Sequence, residues 1–471
     1  MDGNHDAIVI GSGPNGLAAA ITLAQNGRSV VVYEAEATIG GSARSAQLTL
    51  PGFVQDICSA VFPLAIGSPF FRSLPLAEHG LEWIQPEAAL AHPFDDGTAA
   101  VLERSVRATA AYLGSDERAY IRLMAPLVSH WDLLDRDLLA PLRMPRHPLL
   151  LARFGLLGLR PARSFAENRF REQRARAFFG GLAAHSMLPL EKFATAAFGL
   201  VLGITGHALG WPVPRGGAHR ITQALASYFV SLGGDIVLNR RITSLTELSR
   251  ARAILCDLTP RQVLALAGER LPDGFRRKLQ RYRYGMGAFK VDWALARPVP
   301  WKARECARAA TVHLGASLEE IAVSERAAAG GKSTERPFVL LAQPSLFDQA
   351  RAGDGKHTLW GYCHVANGST ENMLDKIENQ IERFAPGFRD VVLGRSIMSP
   401  AALEKHNPNL VGGDINGGAA DLAQLFLRPT ARLYGTPVKG LYICSSSTPP
   451  GGGVHGMCGY FAARQALKEA L

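Results

Sequence analysis

The chain has few cysteines, and none of them is paired in a C-x-x-C motif. Among 471 residues there are six: Cys58, Cys256, Cys306, Cys363, Cys444 and Cys458. Their scatter argues against a zinc site and against a redox-active cysteine pair, and it favours a reducing compartment. We therefore predict no metal site.

Long apolar runs are also missing. No run approaches the roughly 20 residues that span a bilayer, and a charged stretch, Asp2–Asp6, stands where an apolar leader would begin. The formal net charge is +10, but no nucleic-acid-binding module and no aromatic residues interleaved with a basic stripe accompany it, so we predict no nucleic-acid partner. These features predict a cytoplasmic protein.

One basic segment is compatible with peripheral contact on the inner face of a membrane. Residues 143–176 carry nine arginines against two acids, Glu167 and Glu172, around the short apolar stretches Leu149–Leu151 and Phe154–Leu159. This composition fits a helix lying in an anionic interface. It fits an arginine-rich pair of surface helices equally well.

A dinucleotide-binding motif opens the chain. The apolar run Ala7–Ile10 leads into six residues from Gly11 to Gly16, a predicted helix over Leu17–Gln25 and a second strand over Ser29–Tyr33. The glycines permit a tight turn, close approach of backbone to a pyrophosphate, and close packing of helix on strand. An acid about 20 residues further on accepts hydrogen bonds from ribose hydroxyls. We assign to the cofactor Gly11, Gly13, Pro14, Asn15, Gly16, Glu34 and Ala35.

Two further segments favour FAD over NAD. Gly40, Gly41, Ser42 and Arg44 form a second glycine turn in which the arginine offers a forked donor to the pyrophosphate. Further along, a predicted helix over Ile221–Leu232 precedes a predicted strand pair, Asp235–Asn239 and Arg241–Leu245. In FAD proteins such a ribbon holds the adenine, and we place Ile242 there.

The C-terminal segment is the third indication of FAD. The apolar run Gly440–Cys444 enters the loop Ser445–Met457, with three consecutive glycines, and a helix follows from about Cys458 to Leu471. Such a loop aims backbone N–H groups and a helix dipole at the flavin pyrimidine edge. We assign to this contact Gly452, Gly453, Val454, His455 and Met457.

These terminal segments resemble phytoene dehydrogenase-related FAD oxidoreductases, and within them the branch of pyridine nucleotide-disulfide oxidoreductase domain-containing protein 2. The likeness lies in Asp6–Arg44 and Phe384–Leu467, and shorter stretches extend it over most of the chain. One loop departs from the family: its usual Cys-Gly-Ala-Ser-Thr-His-Pro is Cys-Ser-Ser-Ser-Thr-Pro-Pro at Cys444–Pro450.

The resemblance implies an α/β fold in which a Rossmann-like FAD-binding domain is assembled from discontinuous segments and carries an inserted α+β substrate domain. We place the FAD domain at residues 1–71, 213–280 and 425–471, and the substrate domain at 72–212 and 281–424. The implied activity is a desaturase-like transfer of hydride from a lipophilic polyene or isoprenoid to flavin N5. A flavin amine oxidase, a redox-neutral polyene isomerase and a non-catalytic FAD-binding protein are the alternatives.

The remaining candidates concern electrons and substrate. Because no second strand–glycine–helix motif and no cysteine pair are present, we expect oxygen or a membrane quinone to reoxidise the flavin. Lys290, within the apolar run Ala288–Leu295, and His455 are the candidate catalytic residues, although pairing of Lys290 with Asp292 or Asp257 is an equal alternative. The candidate substrate-lining residues are His185, His207, Trp211 and Tyr460.

Overall fold

Two β-sheets organise the chain in the computed structural model, which describes residues 5–353 and 355–471. Most of the charged N-terminal stretch and the start of the first predicted domain segment, residues 1–4, lie outside the described residues. The strands in chain order are β1 (Ala7–Ile10), β2 (Val30–Tyr33), β3 (Ser45–Ala46), β4 (Gln55–Asp56), β5 (Trp83–Ile84), β6 (Ala88–Pro93), β7 (Ala99–Leu102), β8 (Val213–Pro214), β9 (Asp235–Val237), β10 (Ala253–Cys256), β11 (Gly287–Leu295), β12 (Ala309–Leu314), β13 (Val339–Ala342), β14 (His357–Val365), β15 (Val392–Met398) and β16 (Leu441–Ile443).

The helices pack around these sheets. In chain order they are α1 (Pro14–Ala24), α2 (Pro63–Ile66), α3 (Pro69–Arg72), α4 (Val106–Ala110), α5 (Glu117–Val128), α6 (Trp131–Leu138), α7 (Pro148–Gly158), α8 (Ala162–Arg169), α9 (Gln173–Ala184), α10 (Thr195–Ala208), α11 (His219–Ser231), α12 (Pro260–Ala267), α13 (Asp273–Gln280), α14 (Leu318–Ala329), α15 (Leu374–Phe384), α16 (Pro400–His406), α17 (Leu422–Phe426) and α18 (Met457–Glu469). Among the described residues, none of these helices combines the length and the apolarity needed to cross a bilayer.

The first sheet is parallel and has the order β16-β10-β1-β2-β9. Its inner strands are short apolar runs, as expected for strands that are covered on both faces. Helices α1, α11 and α18 pack together on it, so the two ends of the chain meet. Its strands come from three separate sections of sequence, and the predicted α/β fold class is confirmed.

The second sheet is mixed and has the order β15-β11-β14-β13-β12-β6-β7. Its pairs are antiparallel except for the parallel pair β12 and β6. Helices α9, α10 and α14 contact it, and α7 packs on α10. All seven strands lie within the sections predicted as substrate domain, whose boundaries stay a prediction.

Of the strand pair predicted after α11, the first strand is present and the second, Arg241–Leu245, is wrong. Strand β9 ends at Val237 and forms the edge of the parallel sheet, next to β2. The residues after it do not form a strand, because Ser244 and Glu247 form a capping box that starts a short 3₁₀ turn at Leu245. The Glu247 carboxylate accepts from the backbone N–H groups of Thr243 and Ser244, which a strand would have used.

Candidate active site

One large cavity, of about 920 Å³, runs between the two sheets. It begins at the carboxyl ends of β1, β2 and β10, which is where ligands bind in open parallel sheets. From there it passes over the second sheet and reaches the helices α7 and α10. The cavity therefore joins the predicted cofactor site to the predicted substrate region.

The first glycine turn has the geometry that a pyrophosphate site requires. Gly11 has φ +99°, and a Cβ on Gly16 would lie 2.0 Å from the Gly11 carbonyl oxygen, so neither position accommodates a side chain. Helix α1 starts without a side-chain cap and without an acid in its first turn. Its N-terminal N–H groups and dipole are therefore directed at the cavity. Glu34 is buried, and its Oε2 accepts from Ser12 N at 3.0 Å.

The second glycine turn packs on the first. Gly40 and Gly41 have φ +122° and +55°, and a Cβ on Gly41 would lie 3.2 Å from the Gly13 Cα. Arg44 donates from Nε to the Gly41 carbonyl at 2.8 Å, which fixes the guanidinium beside the turn. Arg44 also lines the cavity, so its remaining N–H groups would be available to phosphate oxygens of the cofactor.

The C-terminal loop closes the same region from the other side. Gly453 has φ +118°. Helix α18 begins at Met457, and because its N-cap residue is Gly456, no side chain at that position caps its first N–H groups. His455 is buried, and its Nδ1 accepts from Met457 N at 3.1 Å. Burial lowers the pKa of His455 to about 4, so its ring is neutral at physiological pH. His455 thus lines the cavity and also supports the start of the helix.

The residues present fit FAD. The side-chain Oδ1 of Asn15 is buried on the cavity wall and has no hydrogen-bond partner among the described residues, as expected for a group that awaits a ligand donor. The structure places on the wall Gly11, Gly13, Pro14, Asn15, Glu34, Ala35, Gly41, Ser42, Arg44, Ile242, Gly452, Gly453, Val454 and His455. Gly16, Gly40 and Met457, which were also predicted to contact the cofactor, are buried but do not line the cavity.

Lys290 lies on the cavity wall and forms a buried ion pair with Asp292. The ammonium group is 5.9 Å from the centre of the Trp360 ring. Burial raises the pKa of Asp292 to about 6, although Lys290 opposes this rise. The position on the cavity wall fits a catalytic role for Lys290, and the pairing with Asp292 fits a structural role. Both predicted roles are therefore compatible with the structure.

The second sheet gives the cavity a partly polar floor that the sequence analysis missed. Register places Asp292, Trp360, Ala342 and Thr311 in one cross-strand row, two residues along from a row that contains Lys290 and Tyr362. Residues two apart share a face of a sheet. The Nε1 of Trp360 and the Oγ1 of Thr311 are buried without a partner among the described residues. The i, i+2 spacing of Trp360 and Tyr362 was the available signal, but it identifies a face only once the strand pairing is known.

The four predicted substrate residues divide into two pairs. His185 and Trp211 line the cavity with ring centres 6.1 Å apart, and burial lowers the pKa of His185 to about 3. His207 is not on the wall, because its ring nitrogens bind the Tyr120 hydroxyl and the Glu103 carbonyl, each at 2.8 Å. Tyr460 is also not on the wall; it packs against Phe70 and Phe461. For His207 and Tyr460 the structure supports a packing role instead.

Three cofactor-side residues were also missed. Asp257 follows β10 directly, and its Oδ2 accepts from Gly16 N at 3.0 Å. Asn407 donates to Ser42 Oγ, and Asn409 donates to the Asp257 carbonyl. An acid at the carboxyl end of a parallel strand is a recognisable signal. The two asparagines follow α16 and reach the site only through the tertiary fold.

The raised pKa of Asp257 predicts that the stability of the protein depends on pH and that the Asp257→Asn substitution removes this dependence. Burial, assisted by the charge of Glu34, raises its pKa from 3.8 to about 7. Because the folded-state pKa is raised, the neutral carboxyl stabilises the fold fully below the unfolded-state pKa of 3.8, and this contribution is lost progressively until the pH reaches about 7. The expected loss is about 4 kcal/mol at most. We expect the Tm of the holoenzyme to fall as the pH rises from about 4 to about 7 and to level off above that, and Asp257→Asn to lack this fall.

The control for this prediction is Asp273→Asn, whose carboxylate is largely exposed. It should follow the wild-type profile. A parallel fall in Asp257→Asn and the wild type would show that another group controls the transition.

The fold and site define an FAD-dependent oxidoreductase, and comparisons with known proteins agree. The chain belongs to the flavin containing amine oxidoreductase family, whose sequence pattern matches residues 15–458. It is 27% identical to pyridine nucleotide-disulfide oxidoreductase domain-containing protein 2 of Rattus norvegicus, over 99% of this chain and 94% of that protein. It is 31% identical to a limonene dehydrogenase component of Castellaniella defragrans, over 23% of this chain and 20% of that protein.

Solved structures show the same fold at low identity. An oxidoreductase from Methanosarcina mazei superposes with a TM-score of 0.68 at 15% identity, covering 98% of this chain and 99% of that one. Putrescine oxidase bound to putrescine gives 0.63 at 18% identity, with coverage of 99% and 98%. The predicted oxidoreductase class and the FAD cofactor are confirmed, whereas the phytoene dehydrogenase-related branch stays a prediction.

Proposed function

We propose that this oxidoreductase dehydrogenates a lipophilic polyene or isoprenoid substrate. The observation that carries the proposal is the continuation of the cofactor pocket into an apolar space between α7 and α10. That space is lined by Leu151, Phe154, Gly155, Gly158, Ala197, Phe198, Val201 and Leu202. An apolar wall of this kind binds a hydrocarbon chain by removing it from water. The local similarity to a limonene dehydrogenase component is consistent with this substrate class.

FAD, when bound, supplies the acceptor for a hydride from a substrate C–H bond. The chain's own task is then to place that bond and to exclude water. The apolar walls on α7 and α10 would do both. Lys290 is the candidate to hold a proton or a water molecule at the reacting end, with Asp292 fixing its ammonium group. His185 and Trp211 would form another part of the cavity wall around the hydrocarbon chain of the substrate.

Oxygen or a membrane quinone is the proposed electron acceptor. The glycine turn at Gly11–Gly16 is accounted for by FAD, and the sequence offers no second dinucleotide motif for NAD. Neither acceptor requires a second nucleotide domain. Stopped-flow mixing of the reduced enzyme with oxygen or with a soluble quinone would identify which of them reoxidises it faster.

Anaerobic flavin absorbance tests the proposed function. We expect a detergent-solubilised polyene to bleach the visible absorption band of the oxidised flavin and to yield a more unsaturated product. A polyene isomerised without bleaching would identify redox-neutral chemistry. Bleaching by a primary amine but not by polyenes would identify an amine oxidase. No change with either class would favour a non-catalytic FAD-binding protein.

A further inference from the structure

A patch of exposed apolar side chains lies beside the cavity. It consists of Leu142, Met144, Leu149, Leu156, Leu159 and Phe193. Met144 and Leu149 are each 89% exposed and Leu156 is 78% exposed, which is unusual for large apolar side chains gathered in one place. Ala194, next to Phe193, donates its N–H to the Leu159 carbonyl at 2.9 Å, so these two parts of the patch are neighbours. Leu142 and Leu159 also line the cavity, which places the patch at its opening.

Helix α7 is apolar on two opposite sides. Leu151, Phe154 and Gly158 line the cavity, while Leu149 and Leu156 point away from it into solvent. A helix that is apolar all round is normally buried. With 11 residues, α7 is about 16 Å long, which is too short to span a bilayer but long enough to lie in its surface. The outer side of α7 is therefore an apolar surface that the described part of the chain leaves exposed.

The patch has a basic rim. Arg146, Arg153 and Arg160 are exposed, and none of them has a carboxylate within 4.0 Å among the described residues. The sequence contains no acidic residue between Asp137 and Glu167. Guanidinium groups beside an apolar surface are suited to anionic lipid headgroups above a hydrocarbon layer.

We infer that this face of α7 docks on an anionic lipid bilayer, so that the cavity mouth opens toward the acyl chains. A second copy of the chain fits less well, because a symmetric contact would bring the same arginines face to face. Docking of this face on a membrane does not depend on the reaction that the protein catalyses. Residues 143–176 would then act as an interfacial helix and not only as a pair of surface helices.

Vesicle co-sedimentation of the holoenzyme tests the inference. At about 150 mM salt, near physiological ionic strength, we expect binding to phosphatidylcholine vesicles that contain phosphatidylglycerol and little binding to phosphatidylcholine alone. The double variant Leu149→Gln/Leu156→Gln should bind at least tenfold more weakly. Because both side chains are almost fully exposed, the variant should keep its flavin and its Tm.

The matched control is Val323→Gln/Leu393→Gln, which changes two exposed apolar residues elsewhere and should bind like the wild type. Removal of charge in Arg146→Gln/Arg153→Gln/Arg160→Gln should weaken binding and reduce its dependence on salt. Equal binding by the Leu149→Gln/Leu156→Gln variant, or failure of the wild type to bind anionic vesicles, would overturn the inference. If the wild type self-associates in sedimentation without lipid and the Leu149→Gln/Leu156→Gln variant does not, the patch binds a second copy of the chain instead of a membrane.

Discussion

Lys290→Met is expected to slow reduction of the flavin by substrate by a factor of about 100 or more, the range typical of a lost proton-handling group. Lys290 lies on the cavity wall beside Trp360 and Tyr362, where it can hold a proton or a water molecule at the reacting end of the substrate. The same substitution leaves the buried Asp292 carboxylate without its cation, which costs roughly 3–5 kcal/mol of stability. The single variant therefore cannot by itself separate catalysis from folding.

The double variant Lys290→Met/Asp292→Asn separates the two roles. Replacing both charges removes the unpaired carboxylate, so the Tm and the flavin content should return close to wild-type values. If Lys290 acts on the substrate, the rate of flavin reduction in anaerobic stopped-flow measurements stays low in the double variant. If the pair is only structural, the rate recovers together with the Tm, and the catalytic assignment fails. Asp292→Asn alone leaves the Lys290 ammonium without its counter-ion, so its Tm should fall, but its rate should exceed that of Lys290→Met because the amine is retained.

The cofactor-binding half of the fold could be predicted because its signals are local. Parallel strands buried on both faces appear as short apolar runs, and the glycine turns follow them directly. The predicted strand Ser29–Tyr33 is Val30–Tyr33 in the structure, and the predicted helix Ile221–Leu232 is His219–Ser231. The order of strand, glycine turn, helix and strand along the chain is typical of the Rossmann-like topology, so this half of the fold could be predicted from one sequence.

The floor of the cavity could not be predicted because its signals are non-local. Lys290 and Tyr362 are paired across strands 72 positions apart, and Thr311 joins the neighbouring row through β13. Hydrophobic periodicity identifies each strand but not its partner or its register. A buried histidine shows the same limit. His185 and His207 have similar apolar surroundings in sequence, yet only His185 faces the cavity.

The second strand predicted after α11, Arg241–Leu245, is wrong for a different reason. Apolar residues such as Ile242 favoured a strand, but Thr243, Ser244 and Glu247 form a local hydrogen-bonded cap that competes with it. Ile242, which was predicted to contact the adenine as part of a ribbon, nevertheless lies on the cavity wall. A loop at the end of a parallel strand can deliver a side chain to the cofactor as a ribbon would.

Gly459→Ala is expected to release the flavin and to destabilise the protein by roughly 3 kcal/mol or more, at the upper end of overpacking costs. Gly459 lies in the first turn of α18, where a Cβ would be 1.8 Å from the Asn15 carbonyl oxygen and 2.9 Å from Ala19 N. These are backbone atoms of α1, which cannot rotate away as a flexible side chain could. The two helices would have to separate at the turn that presents N–H groups to the pyrophosphate.

Gly274→Ala is the matched control, since Gly274 lies in the first turn of α13 and a Cβ there meets no atom within 4 Å. It should keep its flavin and gain slightly in stability, because alanine favours a helix by up to about 1 kcal/mol over glycine. The ratio of flavin to protein absorbance and the Tm measure both effects. Retained flavin and an unchanged Tm in Gly459→Ala would mean that α1 and α18 can move apart without cost. In that case the flavin would be held by the N-terminal glycine turns alone, and the contact between the two ends of the chain would not be what positions it.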